Sequence, residues 1–151
     1  DYLLTTYNQQ YNSIMAIGSG MLTGKGLDNN TITSVKGGNF ISEPQTDFIF
    51  AVVGEELGFI GSCVVIGLIL LIVIECLRIA KDARDMRGRL VASGVAGIIT
   101  FQAFVNIGVA TGILPNTGLP LPFVSYGLSS LLSNFICIGL VLNVGLQRNR
   151  R

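Results

Sequence analysis

From Leu90 to Gln147 the chain carries no Asp, Glu, Lys or Arg. A second charge-free run covers Leu57 to Ile74. A soluble domain averages about 25% charged residues, whereas this chain has 13% charged and 50% hydrophobic residues. Roughly 20 consecutive apolar residues cross a bilayer as a helix. The first run fits one crossing if residues 48–56 extend it. The longer run must hold more than one, with Pro115 closing the first and Arg148, Arg150 and Arg151 following the last. The expected architecture is all-α: a polytopic helical membrane protein with three transmembrane helices, preceded by a large extracellular loop. The spans are placed at 48–77, 90–114 and 128–147. Loop 78–89 and tail 148–151 are basic and mark the cytoplasmic side. The region 1–47, with short helices such as one from Tyr11 to Gly20, and the loop 115–127 then lie outside.

Composition removes several functions. There is no histidine, so His-based triads, His metal sites and His proton shuttles are excluded. Cys63, Cys76 and Cys137 lack CxxC spacing and read as small packing residues. A net charge of +1 without a basic patch interleaved with aromatics gives no nucleic-acid surface. No cleavable signal peptide opens the chain, and its start at Asp1 without methionine leads to the expectation of a further segment upstream.

Polar residues in these surroundings are the functional candidates. Glycines at 18, 20, 24 and 26 bracket Lys25. They read as turns, with anion cradling the sharper alternative. The loop 115–127 has three prolines and no charge, a pattern suited to backbone that dips back and is packed in protein or lines a wet cavity. Gln102 and Asn106 share a helix face, as do Ser130 and Asn134; helix-to-helix hydrogen bonding and ligand contact explain them equally well. Carboxylates at membrane depth are costly and point to function. Asp47 stands at the mouth of the first span, where it fits a general base with a raised pKa or a helix N-cap equally. Glu55 and Glu56 follow two turns on. On an unbroken helix Glu55 lies about 12 Å from Asp47 along the axis, too far for a shared-proton dyad. A supporting or cation-holding role, or pairing with a cation from another helix, stays open.

Taken together, Ile17-Gly18-Ser19-Gly20, Gly24-Lys25-Gly26, Thr46-Asp47-Phe48-Ile49-Phe50-Ala51, Gly54-Glu55-Glu56-Leu57-Gly58, Phe101-Gln102-Ala103, Asn106-Ile107-Gly108 and Thr117-Gly118-Leu119-Pro120-Leu121-Pro122-Phe123-Val124-Ser125-Tyr126-Gly127, with Ser129-Ser130 beyond, resemble the SEDS (shape, elongation, division and sporulation) family of the bacterial cytoplasmic membrane. The forms around Gly18 and Pro122 look most like its elongation, or rod-shape, branch. The resemblance implies a ten-span peptidoglycan glycosyltransferase that polymerises lipid II, of which this chain is the C-terminal portion. It implies Asp47 as the catalytic residue, active on the outer face. It also implies a class B penicillin-binding protein as partner. Lys25, Thr46, Gln102, Asn106, Thr117, Ser125, Tyr126, Ser129 and Ser130 are the substrate-binding candidates it suggests, with Glu55 and Glu56 behind them. No metal ligands are assigned, although a divalent cation, magnesium or manganese, or basic groups such as Lys25 would have to offset the pyrophosphate of the leaving group.

The chain departs from the family pattern at three places. Met21 and Leu128 stand where the family has glycine, and Gln45 stands where it has histidine. The two lost glycines are expected to reshape the loops lining the cavity. A non-enzymatic scaffold for a transpeptidase and a lipid-precursor transporter are the alternative functions.

Overall fold

The computed structural model describes residues 2–26 and 48–147. They form four helices: α1 (Tyr2–Ser19), α2 (Ile49–Asp82), α3 (Met86–Ala110) and α4 (Leu128–Leu146). No strand occurs among the described residues. Helices α2, α3 and α4 are each long and apolar enough to cross a membrane. From Phe59 to Asp82, α2 extends about 36 Å, more than the roughly 30 Å hydrocarbon core, and its charged residues in that stretch begin at Glu75. There Arg78 donates to Glu75 one turn away.

The basic connector is mostly helix. Only residues 83–85 separate α2 from α3, which makes the pair an antiparallel hairpin. The C-terminal end of α4 returns to this turn: Gly88 lies against Val144, and Gly145 against Ile79. α3 packs on α2 through a seam of small residues, Ala92, Ala96 and Ala103, with Val95 and Ile99 between them. Lipid tails are as apolar as leucine, so association here rests on close van der Waals contact, which small side chains permit. The outward faces stay apolar and exposed, at Phe59, Val64 and Leu68 of α2, Phe101 and Phe104 of α3, and Leu132 and Phe135 of α4.

Helix α1 is longer than the Tyr11–Gly20 segment the sequence suggested. Its Ser13, Ala16, Ile17 and Gly20 face inward, the i, i+3, i+4, i+7 stripe of an amphipathic helix. α1 rests on the end of α3. Buried Ser13 Oγ donates to Ala110 O at 2.8 Å, and Gln10 Nε2 to Leu114 O at 2.7 Å. These bonds occupy carbonyls that a helix end and the loop beyond it leave open.

α3 stops at Ala110, four residues before the Leu114 boundary that Pro115 suggested. Gly112 N donates to Val109 O and Ile113 N to Gly108 O, the paired bonds of a Schellman cap. The following loop is packed in protein: Leu121, Pro122 and Ser125 are buried. Ser125 Oγ accepts from Leu121 N at 2.7 Å, and Asn106 Nδ2 donates to Leu119 O at 2.7 Å. Phe123 adopts φ 64°, unusual for a bulky residue, and its ring meets Phe135 of α4 edge-on at 6.0 Å.

Candidate functional site

The site grows from a break in α2. Gly58 sits at φ 67°, ψ −164°, a conformation open essentially to glycine alone. Such a residue interrupts the ladder, so Phe59 and Ile60 cannot donate to the carbonyls of Glu55 and Glu56. Unpaired backbone groups in the membrane cost several kcal/mol each, by order of magnitude. The loop after α1 supplies the missing partners. Phe59 N donates to Met21 O at 2.9 Å and Ile60 N to Leu22 O at 3.2 Å, while Glu55 O accepts from Lys25 N at 2.9 Å and Glu56 O from Gly26 N at 3.1 Å. Two bonds lost within the helix free four backbone groups, and each of the four finds a partner across the break. The fit is so close that a Cβ on Gly24 would lie 2.1 Å from Glu56 O. Ser62 Oγ donates to Gly58 O at 2.9 Å and completes the repair.

The same loop brings a cation. Lys25 Nζ lies 3.0 Å from Glu55 Oε1, with the Lys25 side chain 30% exposed and that of Glu55 5% exposed. The partner that the sequence left open for Glu55 is therefore found within this chain. Lys25, a candidate for offsetting the pyrophosphate, compensates a buried carboxylate here and ties the loop to the helix. Glu56 is half-buried beside it.

Upstream of the break, Phe48 precedes α2 and is 1% exposed. It packs with Ala16 of α1 and with Val105 and Val109 of α3, and Leu119 of the loop lies against the same cluster. Asn106 is 2% exposed and holds Leu119 by its carbonyl. One turn away Gln102 is part-buried, and its Oε1 is buried without a hydrogen-bond donor among the described residues. One end of the bundle thus gathers Phe48, Gln102, Asn106 and the loop 114–121. Asp47 and Thr46, the leading candidates from sequence, lie outside the described residues.

The remaining candidates spread out. Ser125 is turned inward to Leu121, while Thr117, Tyr126 and Ser129 are exposed. Ser130 Oγ donates to Gly127 O at the start of α4. Among the described residues no group of three or more Cys, Asp or Glu could hold a metal ion. With Glu55 engaged by Lys25, these residues do not by themselves make a cation site, and no chemical step is assigned to one.

The sequence matches the cell cycle protein family FtsW/RodA/SpoVE over residues 4–150. The chain belongs to the FtsW/RodA/SpoVE family. It is 45% identical over 132 residues to the probable peptidoglycan glycosyltransferase FtsW of Geobacter metallireducens, covering 87% of this chain and 34% of that protein. It is 44% identical to stage V sporulation protein E of Bacillus subtilis, over 87% of this chain and 35% of that protein. It is 43% identical to peptidoglycan glycosyltransferase MrdB of Escherichia coli, over 90% and 36% respectively. These near-equal identities do not set one branch of the family apart. Among solved structures, a chain studied for structural coordination of polymerization and crosslinking by a peptidoglycan synthase complex superposes with TM-score 0.70 at 33% identity, over 93% of this chain and 38% of that one. The chain thus spans about a third of the length of these relatives. It is an integral membrane member of the FtsW/RodA/SpoVE family.

Met21 gains meaning in this frame. It has φ 48°, left-handed backbone that glycine adopts more readily, at a position where the family pattern has glycine. The sequence signalled the turn but not the helix break it enters. By spacing, Gly54, Gly58 and Gly61 make a small-residue face suited to close helix contact, and nothing local distinguishes such a face from the backbone reversal at Gly58.

Proposed function

We propose that this chain forms part of the active site of a peptidoglycan glycosyltransferase that polymerises lipid II at the outer face of the bacterial cytoplasmic membrane. The observation that carries the reading is the burial of Phe48. It anchors the residue bonded to Asp47 at the junction of α1, α2 and α3, beside the polar Asn106–Gln102 face. Relatives named as peptidoglycan glycosyltransferases support the reaction class.

In this reading Asp47 is the general base. It takes the proton from the 4-hydroxyl of the acceptor sugar, and that oxygen attacks the anomeric carbon of the donor. The bond to undecaprenyl pyrophosphate breaks with inversion, and the pyrophosphate carries away the electron pair. Gln102 Oε1, a buried acceptor without a donor, is suited to a sugar hydroxyl or amide. The loop after α1 and the Lys25–Glu55 pair hold the first turns of α2. A class B penicillin-binding protein is the proposed partner that crosslinks the strands.

The test is lipid II polymerisation by the purified protein, with the remainder of the family's length supplied, in liposomes. General-base removal typically costs about 10²–10⁴-fold, so Asp47→Ala and Asp47→Asn should lose strand synthesis on that scale while remaining folded. Undiminished synthesis by either variant would refute the base assignment. Protein that stays inactive with the partner present, yet binds it, would support a scaffold instead.

A further inference from the structure

We propose that the basic end of the bundle carries a binding site for the headgroup of an anionic phospholipid, separate from the glycosyltransferase site and independent of its chemistry. A cavity of about 240 Å³ opens between the start of α3 and the end of α4. Arg84 and Arg87 line it, together with Asn143 and Gln147. Both arginines are exposed, and neither makes a hydrogen bond or ion pair to another described residue. Arg78, a little earlier on α2, is by contrast engaged with Glu75. Gln147 Nε2 donates to Asn143 Oδ1 at 3.3 Å, which occupies the amide oxygen and leaves the Asn143 N–H groups to face a ligand. Asp85 also lines the cavity, so the two guanidiniums and one carboxylate leave a net positive charge.

These donors suit a phosphodiester, which arginine binds through paired charge-assisted hydrogen bonds. The apolar wall argues for a lipid rather than free phosphate. Leu140 lines the cavity and is half exposed. Ile136 and Leu132 precede it at intervals of four on α4 and are also exposed, so an exposed apolar track leads from the cavity along the helix. The cavity is sized for a headgroup, and the acyl chains would follow the track. An amine-bearing zwitterionic headgroup would place a further positive charge beside two arginines, which favours an anionic lipid. Basic pockets between membrane helices are known to hold such headgroups.

The test is native mass spectrometry of the intact membrane protein in detergent, titrated with phosphatidylglycerol, with phosphatidylcholine as the zwitterionic control. We expect saturable binding of a single phosphatidylglycerol, weakened roughly tenfold or more in the Arg84→Gln/Arg87→Gln variant by loss of two charge-assisted contacts. Asn143→Asp, isosteric but adding a negative charge to the same cavity, should weaken it as well. Arg84→Lys/Arg87→Lys, which keeps the charge but not the paired donors, should bind more tightly than the glutamine variant and less tightly than the parent, and Arg78→Gln, which alters charge at the same end outside the cavity, should leave binding unchanged. Equal binding of phosphatidylcholine, equal loss in Arg78→Gln, or no loss in the first two variants would overturn the proposal. Displacement of the lipid by millimolar inorganic phosphate would assign the cavity to free phosphate and overturn it too.

Discussion

At the scale of single residues, the Lys25–Glu55 pair makes an asymmetric prediction. Glu55 is buried and Lys25 partly solvated. Removing the cation strands a charge in the protein, whereas neutralising the carboxylate leaves an ammonium able to reach water. Breaking a buried pair at one partner costs about 3–5 kcal/mol at full burial, and the partial exposure of Lys25 lowers that figure. Lys25→Ala should therefore lower the thermal midpoint clearly more than Glu55→Gln, as read by thermal unfolding in detergent. Equal effects would show that the pair is not what holds the loop. Gln102 permits a sharper separation. A buried acceptor without a donor disfavours folding, and replacement by an apolar group of similar size can be neutral or stabilising. Gln102→Leu should thus keep or raise the midpoint while reducing lipid II polymerisation. A lowered midpoint with unchanged polymerisation would return Gln102 to a packing role. Both residues were legible in the sequence as polar atoms in apolar surroundings. Their partners were not, because Lys25 and Glu55 are separated by 30 positions and nothing in either neighbourhood encodes the other.

At the scale of elements, the decisive feature is the interrupted helix. The charge-free stretch from Leu57 to Ile74 announced a span, and α2 provides it. Of the glycines suited to a helix-contact face, Gly54 lies against Ile17 of α1, whereas Gly58 reverses its φ, and Gly24, a turn residue by its sequence, enters the gap. Two substitutions in this loop should act oppositely. Gly24→Ala places a methyl against Glu56 O in left-handed backbone, and should destabilise by more than the roughly 1–2 kcal/mol that left-handed backbone alone costs a residue with a Cβ. Met21→Gly relieves a left-handed residue that bears a side chain, and should stabilise by up to about 1 kcal/mol. Comparing the two thermal midpoints checks the pair, and a loss from Met21→Gly would mean that the exposed methionine side chain has contacts worth more than the strain. The end of α3 teaches a related lesson. Pro115 is a visible stop signal, but Gly112 and Ile113 close the helix first through the Schellman bonds, and Ser13 of α1 occupies the Ala110 carbonyl.

At the scale of the whole molecule, three membrane-crossing helices carry apolar outer faces, a basic turn at one end and a polar cluster at the other. This polarity predicts that the two ends respond to different agents. Anionic lipid should raise the thermal midpoint through the Arg84–Arg87 cavity, and Asp47→Asn should leave that rise intact while abolishing strand synthesis. A rise lost in Asp47→Asn would show the ends to be coupled. The sequence alone determined the helical membrane class, the number of helices long and apolar enough to cross a membrane, and the cluster of basic residues between the first two of them. Those properties depend on apolar length against a fixed bilayer thickness and on where charge is absent, and both are written locally along the chain. Tertiary structure alone decided that α2 is broken, that the loop after α1 fills the break, that Glu55 is neutralised by Lys25 and that Asn106 holds the proline-rich loop by the Leu119 carbonyl. In a medium without water every backbone group needs a protein partner, and here those partners come from segments as far as 104 positions apart, which no local pattern can specify.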